Sequence, residues 1–181
     1  MKYLSEKANN IVIIGFMGVG KGTVARALAK KTYKFNIDTD DLIESMQKQK
    51  IKFIFKQKGE EHFRKLERQC AIWMEFCVRN TIISTGGGFF VQENIKKLGK
   101  VVYLKSSFDG IIKRLQELRG AKIKFAKRPL LQDLDKAREL YNSRIKTYEK
   151  ICDIVVDVEN KKINTISTDI LKQIKDLDEN N

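Results

Sequence analysis

Residues 11–23 read IVIIGFMGVGKGT: four apolar residues, a glycine-spaced turn and a lysine, followed by the helical pattern of Val24 and Leu28. An apolar run that closes in such a turn and reopens as a helix is a strand, a loop and a helix N-terminus in succession. Gly15, Gly18 and Gly20 let the backbone turn without Cβ clashes. Consecutive N–H groups then converge on an anion, and the helix that follows adds the positive end of its dipole. Gly18, Val19, Gly20, Lys21, Gly22 and Thr23 are therefore assigned to a nucleotide's phosphate tail, with Lys21 as a mobile charge for the outer phosphates. The pattern G-x-x-x-x-G-K-[ST] is met from Gly15 to Lys21, but position 22 is glycine where a magnesium-ligating hydroxyl is expected. Thr23 follows one place later.

Beyond this turn, strand-like apolar runs recur at 10–14, 34–37, 81–84, 101–104 and 154–158. Helical patterns fill the gaps at 21–31, 40–47, 60–79, 93–98, 108–118, 133–150 and 163–177. The alternation predicts an α/β fold of three layers, with a central, mostly parallel five-stranded sheet and helices on both faces. With 181 residues, one proline (Pro129), no repeat and no low-complexity linker, a single domain over 1–181 is expected.

The net charge of +13 raises the possibility of a polyanion partner, but lysine is spread along the whole chain and no nucleic-acid-binding signature appears. No nucleic acid partner is therefore expected. No apolar run reaches the roughly 18 residues of a membrane span, and the N-terminal MKYLSEKANN has no apolar signal core, so the expected compartment is the cytoplasm with no membrane partner. Cys70, Cys77 and Cys152 are odd in number and lack metal-ligand spacing; Cys70 and Cys77, seven apart, are expected in the core.

Four further constellations carry chemistry. In DTDDLIE (38–44), Asp38 and Asp40 follow the second strand and would face the same crevice as the phosphate turn, although an acid there also suits a helix cap. GEEHFRKLE (59–67) places Arg64 on an amphipathic helix, where pairing with Glu60 is the plain alternative; His62, the only histidine, is given no role. In STGGG (84–88), Gly86, Gly87 and Gly88 open main-chain amides to a ligand. Arg128 in KRPLL (127–131) and Arg144 in RIKTY (144–148) have the guanidinium fork that clamps carboxylates and phosphates. The basic stretch 119–130 has no clear periodicity and suggests a mobile lid over phosphates.

In this order, GFMGVGKGT, DTDDLIE, GEEHFRKLE, STGGG, KRPLL and R-x-x-x-Y resemble shikimate kinase, within the wider P-loop, nucleoside-monophosphate-kinase-like group, over nearly the whole chain. The resemblance implies transfer of the γ-phosphoryl group of ATP to the 3-hydroxyl of shikimate, with Mg2+ as cofactor, by a monomer. It implies Lys21, Asp40 and Arg128 as catalytic residues and residues 18–23, Arg114 and Arg128 at the nucleotide, with the loop 158–164 walling the adenine. Asp38 and Thr23 are implied at the metal. Asp40, Arg64, Gly86, Gly87, Gly88 and Arg144 are implied at shikimate, within a subregion of about 38–66 and the residues that close on it. Gly22 departs from the family's Ser or Thr and predicts weaker metal binding. Rival expectations are another small-molecule P-loop kinase, gluconate- or adenylate-kinase-like, and a silent nucleotide-binding regulator.

Overall fold

Ile11 and Ile13 pack into one hydrophobic cluster while Val12 and Ile14 pack into another, so the first strand is buried on both faces. That pattern is the mark of a central strand in a parallel sheet. The structure, a computed structural model, describes residues 8–118, 120, 125 and 129–180. Five strands, β1 (Ile11–Ile14), β2 (Asn36–Asp38), β3 (Ile82–Ser84), β4 (Lys100–Lys105) and β5 (Ile154–Asp157), form one sheet in the order β2-β3-β1-β4-β5. Every pairing is parallel, one step beyond the mostly parallel sheet expected, because the chain returns between strands each time through helices or turns.

The helices are α1 (Lys21–Thr32), α2 (Thr39–Gln47), α3 (Ile51–Cys77), α4 (Phe108–Glu117), α5 (Leu134–Ile151) and α6 (Ile163–Glu179). Apolar stripes of α1, α4 and α6 bury Leu28, Leu115 and Ile170 on one sheet face, and α2 and α3 bury Ile43, Leu66 and Met74 on the other.

Two segments differ from the sequence pattern. Helix α3 begins at Ile51 rather than near Glu60 and breaks at Gly59, whose φ of 79° and ψ of 173° are open to glycine. Its first half looks like a lysine-rich loop, yet Ile54 is fully buried and Phe55 meets the Phe63 ring at 4.8 Å. Residues 93–98 are not an α-helix; two 3-10 turns, Phe89–Val91 and Ile95–Lys97, bring Phe89, Ile95 and Leu98 into the core. So few residues do not offset helix nucleation. Cys70 is buried as expected, but Cys77 is exposed at the end of α3.

At the N-terminal edge of the sheet, buried Asn10 works as a clamp. Its Nδ2 donates to the Val78 and Leu98 carbonyls at 3.0 and 2.7 Å, and its Oδ1 accepts from the Thr81 amide at 2.9 Å. Its carbonyl also accepts from the Lys100 amide at 3.0 Å.

Candidate active site

Ile13 and Asp38 both stand opposite Ser84 in the ladder, so β1, β3 and β2 end level with one another. The turns leaving these strands are consequently neighbours, and ligands of parallel sheets collect at this edge.

The turn after β1 enters α1 through Gly20, at φ 108° and ψ 17°. A Cβ there would lie 2.7 Å from Arg114 Nη2, so the position excludes a side chain on two counts. Arg114, on α4, donates to the Gly18 carbonyl at 2.6 Å and braces the turn from behind. Val19 is buried and anchors the loop in the core. The first turn of α1 holds no acidic residue, which leaves the positive end of its dipole for an anion. Lys21 Nζ lies over the turn, donating to the Gly15 and Phe16 carbonyls at 2.7 and 3.2 Å.

The two acids of DTD divide their roles. Asp38 is the cap of α2: its Oδ1 accepts from the Asp40 amide at 3.0 Å, and its Oδ2 accepts from the Ser84 hydroxyl at 2.7 Å. Asp40 is thereby left free of capping. Its Oδ1 is sheltered from solvent with no hydrogen-bond partner among the described residues. Burial and then the Asp38 carboxylate push the Asp40 acid up to about 7, against the opposing pull of Lys21.

Gly86, Gly87 and Gly88 gather the remaining groups. A Cβ on Gly86 would collide with the Asp40 carboxylate, and one on Gly88 with the Arg64 guanidinium. A Cβ on Gly87 would meet Met17 of the phosphate turn at 3.7 Å and Arg144 Nη1 at 3.9 Å. Three consecutive positions thus touch the acid, the turn and both arginines. Arg144 donates to the Gly87 carbonyl at 2.9 Å, and Tyr148, one helical turn later on α5, donates to the same oxygen at 3.0 Å. Arg64 pairs with Glu60 and with buried Glu67, both at 2.6 Å. Burial raises the Glu67 acid while Arg64 opposes the rise.

Three groups have roles that the sequence did not assign. Thr39 Oγ1 accepts from the Gly86 amide at 2.8 Å and fixes the glycine turn to α2. Glu67 aims Arg64, and Tyr148 holds Gly87. Glu67 carried a signal, as an acid on the apolar face of α3 three residues after Arg64, and Tyr148 stands in the R-x-x-x-Y stretch with no role assigned. Glu159 accepts from the Ser107 amide at 2.8 Å and closes on Gly110, tying the 158–164 loop to the helix that carries Arg114. Thr23 is exposed. Arg128 and most of the expected lid lie outside the described residues. Among the described residues, no three His, Cys, Asp or Glu side chains form a metal cluster, so a metal here would depend on nucleotide oxygens as well as on Asp38.

The shikimate kinase family model matches residues 17–175. The chain belongs to the shikimate kinase family. A shikimate kinase of Helicobacter hepaticus is 43% identical over 141 residues, covering 78% of this chain and 81% of that protein. One from Sulfurihydrogenibium is 38% identical over 173 residues, covering 92% and 98%. Among solved structures, the shikimate kinase of Acinetobacter baumannii in complex with shikimate superposes with a TM-score of 0.83 at 29% identity, covering 94% of this chain and 95% of that one. A gluconokinase of Sinorhizobium meliloti, at 16% identity and a TM-score of 0.61, shares the fold alone. No helix among the described residues is long and apolar enough to cross a membrane.

Proposed function

We propose that this chain transfers the γ-phosphoryl group of ATP to the 3-hydroxyl of shikimate, giving shikimate 3-phosphate and ADP. The observation that carries this is the glycine triplet, which puts an acid poised near neutrality, two arginines and the phosphate turn around one small volume.

Phosphoryl transfer asks the protein for alignment and positive charge more than for covalent chemistry. The amides of residues 18–22 take the phosphates, and Lys21 moves from the loop carbonyls to the outer ones. Arg64 and Arg144 grip the substrate carboxylate through paired hydrogen bonds, which suits an acidic polyol better than a neutral one. Asp40 orients the attacking hydroxyl and accepts its proton as the P–O bond forms. Mg2+ fits the hard oxygen donors at Asp38 and, when bound, neutralises phosphate charge. Thr23 stands next to the phosphates, and Arg114 with the 158–164 loop flanks the adenine. A monomer is taken as the working unit. The 181 residues are taken to act as one domain in the cytoplasm.

The test is ADP release coupled to a dye-linked readout with ATP, Mg2+ and shikimate, with gluconate and AMP as control acceptors. ADP release that requires shikimate and disappears in Asp40→Asn is expected. Release that ignores shikimate, or is faster with either control, overturns the proposal.

A further inference from the structure

We infer that Ser84 supplies the hydroxyl ligand that position 22 lacks, so that the metal accompanying a nucleoside di- or triphosphate is held between Ser84 and Asp38. The inference rests on the proposed reaction only through its use of a metal–nucleotide complex.

A Cβ built on Gly22 would stand 3.8 Å from Ser84 Oγ and 3.8 Å from Asp38 Oδ2. The volume that a serine or threonine at 22 would fill is therefore already rimmed by a hydroxyl, delivered from β3 instead of α1. Ser84 is buried at the C-terminal end of its strand, level with Asp38 in the ladder. A hydroxyl has one proton and two lone pairs. The Ser84 proton is committed to Asp38 Oδ2 at 2.7 Å, the one hydrogen bond Oγ makes among the described residues. Its lone pairs remain for a cation, and the pair presents adjacent hard oxygens, the donor type that magnesium selects.

Thr23 does not reach the same place: successive helix residues diverge by about 100°, and Thr23 is exposed. A cavity of ≈ 300 Å³ lined by Gly22, Arg26, Asn36, Ile37, Asp38, Asp41 and Leu42 adjoins the position on the Asp38 side, with Ser84 behind its wall, and leaves room for the water that magnesium retains. The competing occupant is Arg26, exposed, whose Nη1 comes within 3.5 Å of the built Cβ. Its flexible stem allows it to give way to a doubly charged ion.

The experiment measures metal affinity instead of turnover. Mn2+ is titrated into the ADP complex, without shikimate, and free Mn2+ is read by electron paramagnetic resonance. Ser84→Ala is expected to weaken Mn2+ binding about tenfold while metal-free ADP binding is unchanged. Adding Gly22→Ser to that variant should restore the affinity, because the new hydroxyl enters the vacated volume. Ser84→Cys should lose Mg2+ and gain Cd2+ relative to the parent, since a thiolate favours softer ions; a merely structural serine would show no such exchange. Parent-like Mn2+ affinity in Ser84→Ala, or a loss matched by weaker metal-free ADP binding, overturns the inference. Because shikimate is absent throughout, a protein that passes this titration and fails the acceptor assay sinks the proposed reaction and leaves the ligand assignment standing.

Discussion

Burial raises the Asp40 acid to about 7, and the neighbouring Asp38 carboxylate adds to the shift. A base that titrates there accepts a proton readily at neutral pH, so kcat/KM for shikimate should rise with pH through about 7 and then level off. The same shift has a stability signature. An acid whose folded value exceeds its unfolded one binds more protons when folded, so its contribution falls as pH climbs from about 4 to 7. Asp40→Asn should therefore lower kcat by about 10²–10⁴-fold and raise Tm at pH 8, with the Tm gain shrinking toward pH 4. A variant as unstable as the parent at pH 8 would show that Asp40 is not held at a cost. Glu67→Gln tests a different role: the amide keeps the shape but loses the charge that aims Arg64, so KM for shikimate should rise several-fold with kcat little changed. The phosphate turn, DTD, Arg64, the glycine triplet and Arg144 were legible in the sequence because each is an unusual residue type at a special place. Thr39 and Tyr148 were not. Both stand inside quoted motifs, but their work is to hydrogen-bond residues distant along the chain, Gly86 and Gly87, and that role has no local sign.

The break in α3 shows how an element serves the site. Gly59 redirects the chain just before the turn that carries Glu60, Arg64 and Glu67. A Cβ at 59 meets nothing within 4 Å, so Gly59→Ala changes backbone strain and nothing else nearby. At φ 79° and ψ 173° that strain is about 1–3 kcal/mol, or several degrees in Tm. Because the strain is relieved by moving the helix that bears Arg64, KM for shikimate should rise as well; unchanged KM with lowered Tm would uncouple the break from the site. All five strands and most helices were legible from apolar period. The missed half of α3 also carries a helical stripe, Ile51, Ile54 and Phe55, but its lysines mask it. The opposite error at 93–98 arose because apolar spacing alone cannot separate a short helix from 3-10 turns that bury the same residues.

Across the whole molecule, the net charge of +13 faces ligands that are all anionic. Raising salt should lower kcat/KM for both substrates while leaving kcat nearly constant, because screening slows the encounter and not the transfer. A salt-independent kcat/KM would mean that the charge is a solvated surface with no part in capture. Composition suggests a mainly solvated surface, part of which favours small anionic ligands; the folded chain shows which part, with Lys21, Arg64, Arg114 and Arg144 gathered at one edge of the sheet. The opposite edge bears on catalysis too. Asn10 ties β1 to the segments that start β3 and β4 at the end of the sheet remote from the crevice. A slip of one residue there would travel along the strand as about 3.3 Å and offer the wrong face of each strand end to the substrates. Asn10 is in that sense the datum from which the catalytic edge is measured, and a polar side chain that never meets a ligand sets how accurately donor and acceptor are aligned.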